Sequence, residues 1–391
     1  QYNGLTPYSG CTVNFSSSYT VNTTSATWGD LGTANFKGSN GTIIATNPIT
    51  FNNLIIQSGD SVQVSGSCTT KYLTIGNGGT GNAVLQMQSA GSSITVKNDV
   101  TIMQPTTSST TNSLRVDAGT CDVTGNLIYS GTSTSSSKIG KVNITSGVFT
   151  LDGTITWMSA SSSAVSVLDV STGTVNFNSS VSMGSGSGTI NVTGAATVNF
   201  NGTTPPSLAF GGSTAPVFTT VSGANINFAK GFSATTTALT FATGTNVSSG
   251  SAASPVDFTV TGSNTVTTNG SLTIYGDLVG SNSNSTFVNG ANATLTLNGN
   301  VMSTGKLNAS AAGNTIIYNG SSTQTVKVPI SSYNNIVFSN TGTKTLAGDI
   351  TANGVTLTSG TLDDAGHTIT ISGASGWTNN GGTYTTTGGV A

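Results

Sequence analysis

The chain has 391 residues, of which 35% are hydrophobic and 6% are charged, and its formal net charge is −2. Disorder normally accompanies low hydrophobicity and high net charge, so this composition favours a folded chain. The sequence has no Glu and a single Arg, and residues that usually cover exposed helix faces are therefore almost absent. A mainly helical protein is excluded, and so is a basic surface for nucleic acid.

Two stretches far apart in the chain have nearly the same sequence, FNNLII at 51–56 and YNNIVF at 333–338. A looser third copy begins with TVNFNG at 197–202. Repeats of this kind indicate a fold assembled from similar units. The predicted organisation is one elongated domain over 1–391, with an N-terminal joining segment at about 1–25 and repeat blocks at about 26–196, 197–314 and 315–391.

A shorter period lies within the first block. Four segments align on Gly91, Gly119, Gly147 and Gly173, which are 28, 28 and 26 residues apart. Around each glycine, apolar residues alternate with Ser, Thr, Asn or Asp, which is the pattern of a strand with one buried face. One period is therefore predicted to be one coil of two or three short strands.

These periods predict an all-β fold, an elongated β-solenoid (parallel β-helix) of roughly 14–17 repeated coils. An antiparallel β-sandwich array is the alternative. A period of this length without a helical pattern cannot supply the crossover helices of an α/β protein. Within the two YNN-type units, Ile55 and Val337 occupy equivalent places, and we expect both to point into the core.

Three cysteines, Cys11, Cys68 and Cys121, leave at least one thiol unpaired. Cys68 and Cys121 are 53 residues apart, about two coils. Stacked in line, they would be separated by about 10 Å, which is too far for a disulfide. Two interpretations stay open: a Cys11–Cys68 bond, and three thiols buried as small apolar residues.

The chain starts at Gln1 without a Met, as a product of signal-peptide removal would, and it has no apolar run long enough to cross a membrane. We therefore expect an exported protein that is extracellular or attached to the cell surface.

Several stretches resemble the repeat units of secreted bacterial β-solenoid adhesins and surface repeat proteins: SGDSVQVSGSCTTKYLTIGNGGT at 58–80, TLTSGTLDDAGHTITISG at 356–373 and GWTNNGGTY at 376–384. The resemblance extends over most of the chain. It implies an adhesin or matrix component of Gram-negative gliding-type bacteria. The sequence DSV at 60–62 also fits the O-glycosylation pattern of these bacteria, which makes Ser61 a candidate glycosylation site.

Charged residues are too sparse for the polysaccharide-cleaving chemistry of many β-helices, which needs clustered Asp, Lys or Arg. The 60 residues from Val170 to Ala229 carry no charge. The one tight carboxylate pair, Asp363 and Asp364, lies in a turn beside the sole histidine, His367, where such residues are ordinary turn chemistry. We predict a protein that is not an enzyme, with no catalytic residue, cofactor or metal.

A repetitive fold without a predicted catalytic site is expected to act as a structure or as a binding surface. The first hypothesis is a structural subunit of an extracellular filament or matrix that polymerises head to tail. The alternative is a stalk-like adhesin that binds carbohydrate or another cell surface. Ice binding is a third candidate, because TYTTTGG at 383–389 and TTTALTF at 235–241 would lay Thr in flat ladders. The predicted partners are copies of the same chain and surface glycans.

The chain ends are the predicted partner surfaces. The stretch at 371–391 looks like the opening of another repeat, and residues 9–21 supply a VNF strand of the kind that would continue it. Terminal coils of a solenoid expose unpaired strand edges, which are templates for pairing with another chain. The residues predicted at this joint are Val13, Asn14, Phe15, Trp377 and Tyr384.

Overall fold

The fold was determined as a computed structural model. It describes residues 11–16, 19–22, 31–38, 40–132, 135–158, 165–183, 188–208, 217–234 and 238–387. These residues are all-β without any helix, and their parallel strands stack as a β-solenoid of about 15 turns, which confirms the predicted fold class. The one antiparallel pairing among them is a short hairpin that joins Gly250 to Pro255 and Ser251 to Ser254. The β-sandwich alternative is therefore wrong.

The chain divides into two compact units, Gln1–Thr203 with Gly212–Thr219 and Thr204–Gly211 with Thr220–Ala391. The first unit contains strands β1 (Thr12–Phe15), β2 (Tyr19–Asn22), β3 (Leu31–Phe36), β4 (Gly41–Ile56), β5 (Ser61–Ile75), β6 (Val84–Met87), β7 (Ser93–Val96), β8 (Val100–Met103), β9 (Thr110–Val116), β10 (Thr120–Val123), β11 (Leu127–Ser130), β12 (Lys138–Ile144), β13 (Val148–Leu151), β14 (Ile155–Thr156), β15 (Ser166–Val170), β16 (Thr174–Phe177), β17 (Gly188–Val192), β18 (Thr197–Phe200) and β19 (Val217–Thr219).

The second unit contains strands β20 (Asn225–Phe228), β21 (Phe232–Ala234), β22 (Ala238–Phe241), β23 (Asn246–Ser251), β24 (Ser254–Pro255), β25 (Phe258–Val260), β26 (Thr265–Thr268), β27 (Ser271–Ile274), β28 (Leu278–Gly280), β29 (Thr286–Asn289), β30 (Thr294–Leu297), β31 (Lys306–Asn308), β32 (Thr315–Tyr318), β33 (Gln324–Val326), β34 (Tyr333–Phe338), β35 (Thr343–Leu346), β36 (Ile350–Leu357), β37 (Thr361–Asp363), β38 (Ile369–Asn379) and β39 (Thr383–Thr385). The repeat-block boundaries proposed from the sequence stay a prediction.

One coil of the first unit consists of three short strands. Strands β9, β10 and β11 form such a coil, and each pairs in parallel with its counterpart in the next coil, β12, β13 or β14. In the second unit, β30, β32, β34, β36 and β38 pair in this order along one face. Hydrogen-bonded partners on adjacent coils are 28 residues apart at Asp117 and Thr145, and 21 apart at Asn298 and Asn319.

Inward side chains form continuous apolar columns. In the first unit, one column runs through Val96, Val123, Leu151, Phe177 and Phe200, which are all buried. The last two rings stack with their centroids 5.3 Å apart. Full burial of an apolar side chain of this size contributes about 1.5–3 kcal/mol. The period-two alternation in the sequence is thus the direct source of the core.

Three of the four aligned glycines form a column of close backbone contacts. A Cβ added to Gly147 would lie well under 3.0 Å from the carbonyl oxygen of Gly119, and one added to Gly173 would meet the Gly147 oxygen in the same way. Gly91 lies one residue outside this column. In the coil before Gly119, the carbonyl oxygen that faces Gly119 belongs to Ser92 and not to Gly91. A Cβ on Gly91 would meet open space.

The prediction that Ile55 and Val337 point inward is wrong. Both are half-buried, whereas the preceding residues Leu54 and Ile336 are fully buried. In the first copy, two consecutive half-buried Asn follow the buried Phe51, so alternation does not continue across them. Such a slip of one residue moves every following side chain to the opposite face.

All three cysteines are free thiols, with Cys11 exposed and the other two buried. A Cys11–Cys68 disulfide is absent because the two residues are three coils apart, along the pairings of β1 with β3, β3 with β4 and β4 with β5. Three strand spacings of about 4.8 Å exceed the span of a disulfide. Cys68 and Cys121 lie in line on either side of Ile94, which confirms the predicted separation of two coils. Burial raises the pKa of the Cys68 thiol to about 12.

Asp and Asn side chains link neighbouring coils at one turn, a feature that the sequence analysis did not single out. The Oδ1 atom of Asp99 accepts a hydrogen bond from the backbone N–H of Asn126, at 2.8 Å. The Oδ1 atom of Asn126 accepts from the backbone N–H of Thr154 in the next coil, at 2.9 Å. Asp257 and Asp277 repeat this arrangement in the second unit. The sequence signal is an Asp, Asn or Thr directly before the apolar start of a strand.

Lys344 is a charged residue at an inward position of the second unit. It is fully buried in β35, opposite Gln324 on one side and Leu362 on the other. Its Nζ atom donates hydrogen bonds to the carbonyl oxygens of Gly320 and Gly342, at 2.7 and 2.9 Å. Burial lowers the pKa of Lys344 from its ordinary 10.5 to about 8.

This lowered pKa predicts a pH-dependent stability. Between about pH 8 and 10.5 the unfolded chain holds the Lys344 proton more tightly than the folded chain does, so the free energy of unfolding rises with pH across that window. We expect the urea midpoint of the wild type to increase from about pH 7.5 to 9.5, and Lys344→Met to lose this increase. Lys306→Met, at an exposed position of β31, is the matched control and should retain it. Identical profiles for Lys344→Met and the wild type would contradict the assignment.

Candidate functional site in the terminal coils

The residues predicted at a subunit joint lie on terminal strands of the two units. Val13, Asn14 and Phe15 belong to β1 of the first unit, whereas Trp377 belongs to β38 and Tyr384 to β39 of the second. Parts of the predicted joining segments lie outside the described residues, namely 1–10, 17–18, 23–25 and 388–391.

The N-terminal strand lies on β3 in parallel register. Phe15 is buried, and its ring stacks on Phe36 with a centroid distance of 4.7 Å. Val13 is half-buried, on the same inward side. Asn14 points outward and is exposed, and its Oδ1 atom accepts a hydrogen bond from Asn35 Nδ2 at 2.8 Å. β1 therefore presents the same inward apolar and outward amide rows as the coil beneath it.

The C-terminal coil places two aromatic side chains over the core of the second unit. Trp377 lies opposite Val355, and Tyr384 lies opposite Leu362. The two rings meet edge to face, with centroids 5.2 Å apart and planes at 67°. Trp377 remains 38% exposed, so its ring covers the column only in part.

Inward positions of this coil are more exposed than those of the coil before it. Ile369 and Ile371 are half-buried, whereas Ile350 and Ala352 opposite them are buried. Among the described residues, β38 has a strand partner only in β36, and β39 only in β37. We call this surface the open face and define it by Ile369, Ile371, Trp377 and Tyr384.

Asp364 anchors the last strand of the open face. It is 3% exposed, and its Oδ1 atom accepts hydrogen bonds from the backbone N–H groups of Gly366 and Thr387, at 2.9 and 3.1 Å. Its Oδ2 atom accepts from the Tyr384 hydroxyl at 2.9 Å. Hydrogen bonds from the Thr386 side chain and the Gly366 amide hold the pKa of this carboxyl well below its ordinary range. The ionised carboxylate therefore fixes the position of Tyr384.

The adjacent acidic residue has a local partner of its own. The Oδ1 atom of Asp363 accepts a hydrogen bond from the backbone N–H of Ala365 at 2.9 Å, in a turn where Ala365 has φ 49°. His367 Nδ1 lies 3.7 Å from Asp349 Oδ1. Within the described ranges, no group of three His, Cys, Asp or Glu residues is placed to hold a metal ion. The carboxylates of Asp363 and Asp364 both accept hydrogen bonds within their own turn, which is the turn chemistry that the sequence indicates.

The Thr ladder considered for ice binding is interrupted. Thr383 lies opposite Thr361, but Thr385 lies opposite Asp363. Part of the other candidate stretch, 235–237, lies outside the described residues. A flat array of hydroxyl groups therefore does not continue across this face.

Ser61, the candidate glycosylation site, is the first residue of β5 and is half-buried. Its backbone N–H donates a hydrogen bond to the Oδ1 atom of the buried Asp60, at 2.9 Å. Glycosylation of Ser61 stays a prediction.

No protein-family model, curated protein or solved structure matches this chain. In the part of the chain that the structure describes, no helix has the length and apolar character needed to span a membrane. The fold defines the class of protein, an all-β repeat protein built as a parallel β-solenoid.

Proposed function

We propose that this protein is a structural subunit of an extracellular filament or matrix, and that it polymerises head to tail through its terminal coils. The open face carries this proposal. Trp377 is 38% exposed there, and β38 has no described partner along its second edge. Covering apolar surface contributes about 25 cal/mol per Å². An unpaired strand edge offers the backbone hydrogen bonds that a further parallel strand would use.

The equivalence of the two YNN-type units predicts the register of the joint. Two coils before Leu54, the same inward column contains Val13. Two coils after the equivalent Ile336, the column contains Trp377. If β1 of one copy continues the stack beyond β38 of another, Val13 follows Trp377 in a single column. The neighbouring outward pair in this register is Asn14 and Thr378.

Charge does not oppose such a contact. Neither β1 nor β38 contains an acidic or basic residue, and the whole chain has a net charge of only −2. A contact between two different surfaces that does not close into a ring generates a filament. The resemblance of the repeats to secreted surface proteins supports an extracellular location and keeps a monomeric adhesin as the alternative.

Two single substitutions test the polarity of the joint. We expect the wild type to form fibres in negative-stain micrographs, and Val13→Asp and Trp377→Asp each to abolish them, because each would bury a carboxylate at the joint. Val13→Asp keeps its open face, and Trp377→Asp keeps its N-terminal strand. An equimolar mixture should therefore form a one-to-one dimer by light scattering. Thr12→Asp, at an exposed neighbour, is the control for added charge in β1.

A disulfide tests the register. In a Cys11→Ser background, Asn14→Cys and Thr378→Cys introduced into one chain should link successive subunits, because adjacent parallel strands bring paired Cα atoms within the span of a disulfide. Non-reducing gels should then show a ladder of covalent oligomers. A wild type that stays monomeric, or fibres of normal length from both Asp variants, would contradict the filament and favour the adhesin.

A further inference from the structure

A cleft with a volume of about 380 Å³ opens on the second unit, and none of its lining residues belongs to the open face. Small-molecule sites commonly have volumes of about 300–1,000 Å³. The polar side chains that line this cleft belong to Asp277, Asn300, Ser303, Thr325 and Lys327. They come from successive coils, which places groups that are distant in sequence around one space.

Asp277 presents a fixed carboxylate to the cleft. Its backbone N–H donates a hydrogen bond to Asp257 Oδ1 at 2.8 Å, and its own Oδ1 accepts from the backbone N–H of Asn300 at 2.7 Å. These bonds belong to the series of Asp and Asn hydrogen bonds that links neighbouring coils at one turn. The second carboxylate oxygen, Oδ2, is 3.5 Å from Asn300 Nδ2 and keeps further capacity to accept hydrogen bonds.

Met302 lines the cleft and has an unusual backbone conformation. It has φ 39° and is 1% exposed. Its terminal methyl group packs beside Gly280 and Gly305, where an added Cβ would collide with it. Its carbonyl oxygen accepts a hydrogen bond from Lys327 Nζ at 2.7 Å. Non-glycine residues with positive φ persist only where the surroundings hold them, and such positions cluster at ligand sites.

Two buried tyrosines make hydrogen bonds to the backbone of Lys327. Its backbone N–H donates to the Tyr318 hydroxyl at 3.0 Å, and its carbonyl oxygen accepts from the Tyr333 hydroxyl. The two hydroxyl groups are 2.9 Å apart and hydrogen-bonded to each other. Burial raises the pKa of Tyr318 to about 12, so this hydroxyl stays protonated. The backbone that carries the Lys327 ammonium is thus fixed, and binding would cost little reordering of it.

We propose that this cleft binds a neutral pyranose sugar. A sugar hydroxyl can donate a hydrogen bond to the Asp277 carboxylate. Of the three protons of the Lys327 ammonium, one is donated to the Met302 carbonyl, and the other two can be donated to sugar hydroxyl oxygens. One carboxylate and one ammonium give no net attraction for an anion or a cation. Val301 and Ala347 supply apolar contacts for the C–H groups of the ring. This site does not depend on the filament joint, because it shares no residue with the open face.

Saturation-transfer difference NMR on the full-length protein tests the proposal. The probes are D-glucose, D-galactose, D-mannose and N-acetyl-D-glucosamine, each titrated separately. We expect saturable signals from at least one of these sugars. Asp277→Asn retains an oxygen for the Asn300 amide, and Lys327→Met retains the aliphatic stem, so both should remain folded. Each should weaken binding by roughly ten- to a hundredfold, the effect of one hydrogen bond to a charged group.

The matched control is Lys306→Met, which removes an exposed lysine of the same unit and should leave sugar affinity unchanged. Thermal melting of each variant separates a lost site from a lost fold. Absence of a saturable signal from all four sugars would overturn the proposal. Equal sugar affinity in the wild type and both cleft variants would also overturn it. Glycine is a further probe, because its ammonium and carboxylate groups would complement Asp277 and Lys327, and saturable binding of glycine in place of the sugars would likewise overturn the proposal. Fibre formation by the cleft variants is expected to be normal.

Discussion

Ile336→Asp is expected to unfold the second unit. Ile336 is fully buried in the inward column, between Ile316 and Val355 of the neighbouring coils. An unpaired carboxylate at this position costs several kcal/mol, a large part of the roughly 5–15 kcal/mol that keeps a domain folded. We expect loss of soluble protein, or a large fall in the urea midpoint measured by circular dichroism.

The adjacent residue provides a matched control. Val337 is half-buried on the outward row, between Ile317 and Thr356, so Val337→Asp keeps its carboxylate in contact with water. We expect this variant to lose about 1 kcal/mol or less. If the two substitutions destabilised the protein equally, the register of β34 would be wrong.

Gly147→Ala is expected to be strongly destabilising for a different reason. The new Cβ would lie well under 3.0 Å from the Gly119 carbonyl oxygen and also close to the Val116 side chain. Because the carbonyl oxygen belongs to the backbone of the adjacent coil, the collision can be relieved only by moving one coil relative to the next. Overpacking of this kind costs about 1–3 kcal/mol or more. The measurement is the free energy of unfolding from urea titrations.

Gly91→Ala is the control for this substitution. Gly91 aligns with Gly119 and Gly147 in the sequence, but an added Cβ there meets no atom within 4 Å. We expect a change within about 0.5 kcal/mol, as for ordinary surface substitutions. A loss at Gly91 as large as that at Gly147 would show that the contact between coils does not explain the effect, because the lower backbone entropy of unfolded Ala would by itself stabilise the protein.

Both pairs of variants mark the point at which sequence patterns stop being sufficient. The alternation around YNNIVF predicts a strand with one buried face, which is correct, but counting across the two Asn assigns Val337 to the wrong face. The four glycines align in the sequence, but only Gly119, Gly147 and Gly173 lie in one column of the structure, and Gly91 does not. Each error is a shift of one residue, because an irregular corner changes the register without changing the composition.

In the candidate sites, too, the sequence indicates some of the residues and only the structure shows which of them are neighbours. Trp377 and Tyr384 are distinctive in the sequence because they lie in the last repeat, but only the structure brings their rings 5.2 Å apart over the core. Nothing in the local sequence connects Asp277, Met302 and Lys327. Coils of unequal length decide which residues become neighbours, and no local pattern marks Met302 as a residue with positive φ.

The sequence by itself determined the class of fold and its repeat. Period-two alternation, scarce charge and regular glycines leave few ways to bury apolar side chains other than stacked parallel strands. Only the tertiary structure decided which face each strand buries near a corner, which thiols are buried, and which polar groups share a cleft. These features depend on contacts between residues about one coil or more apart in the chain, and each insertion at a turn changes their alignment while leaving the local pattern intact.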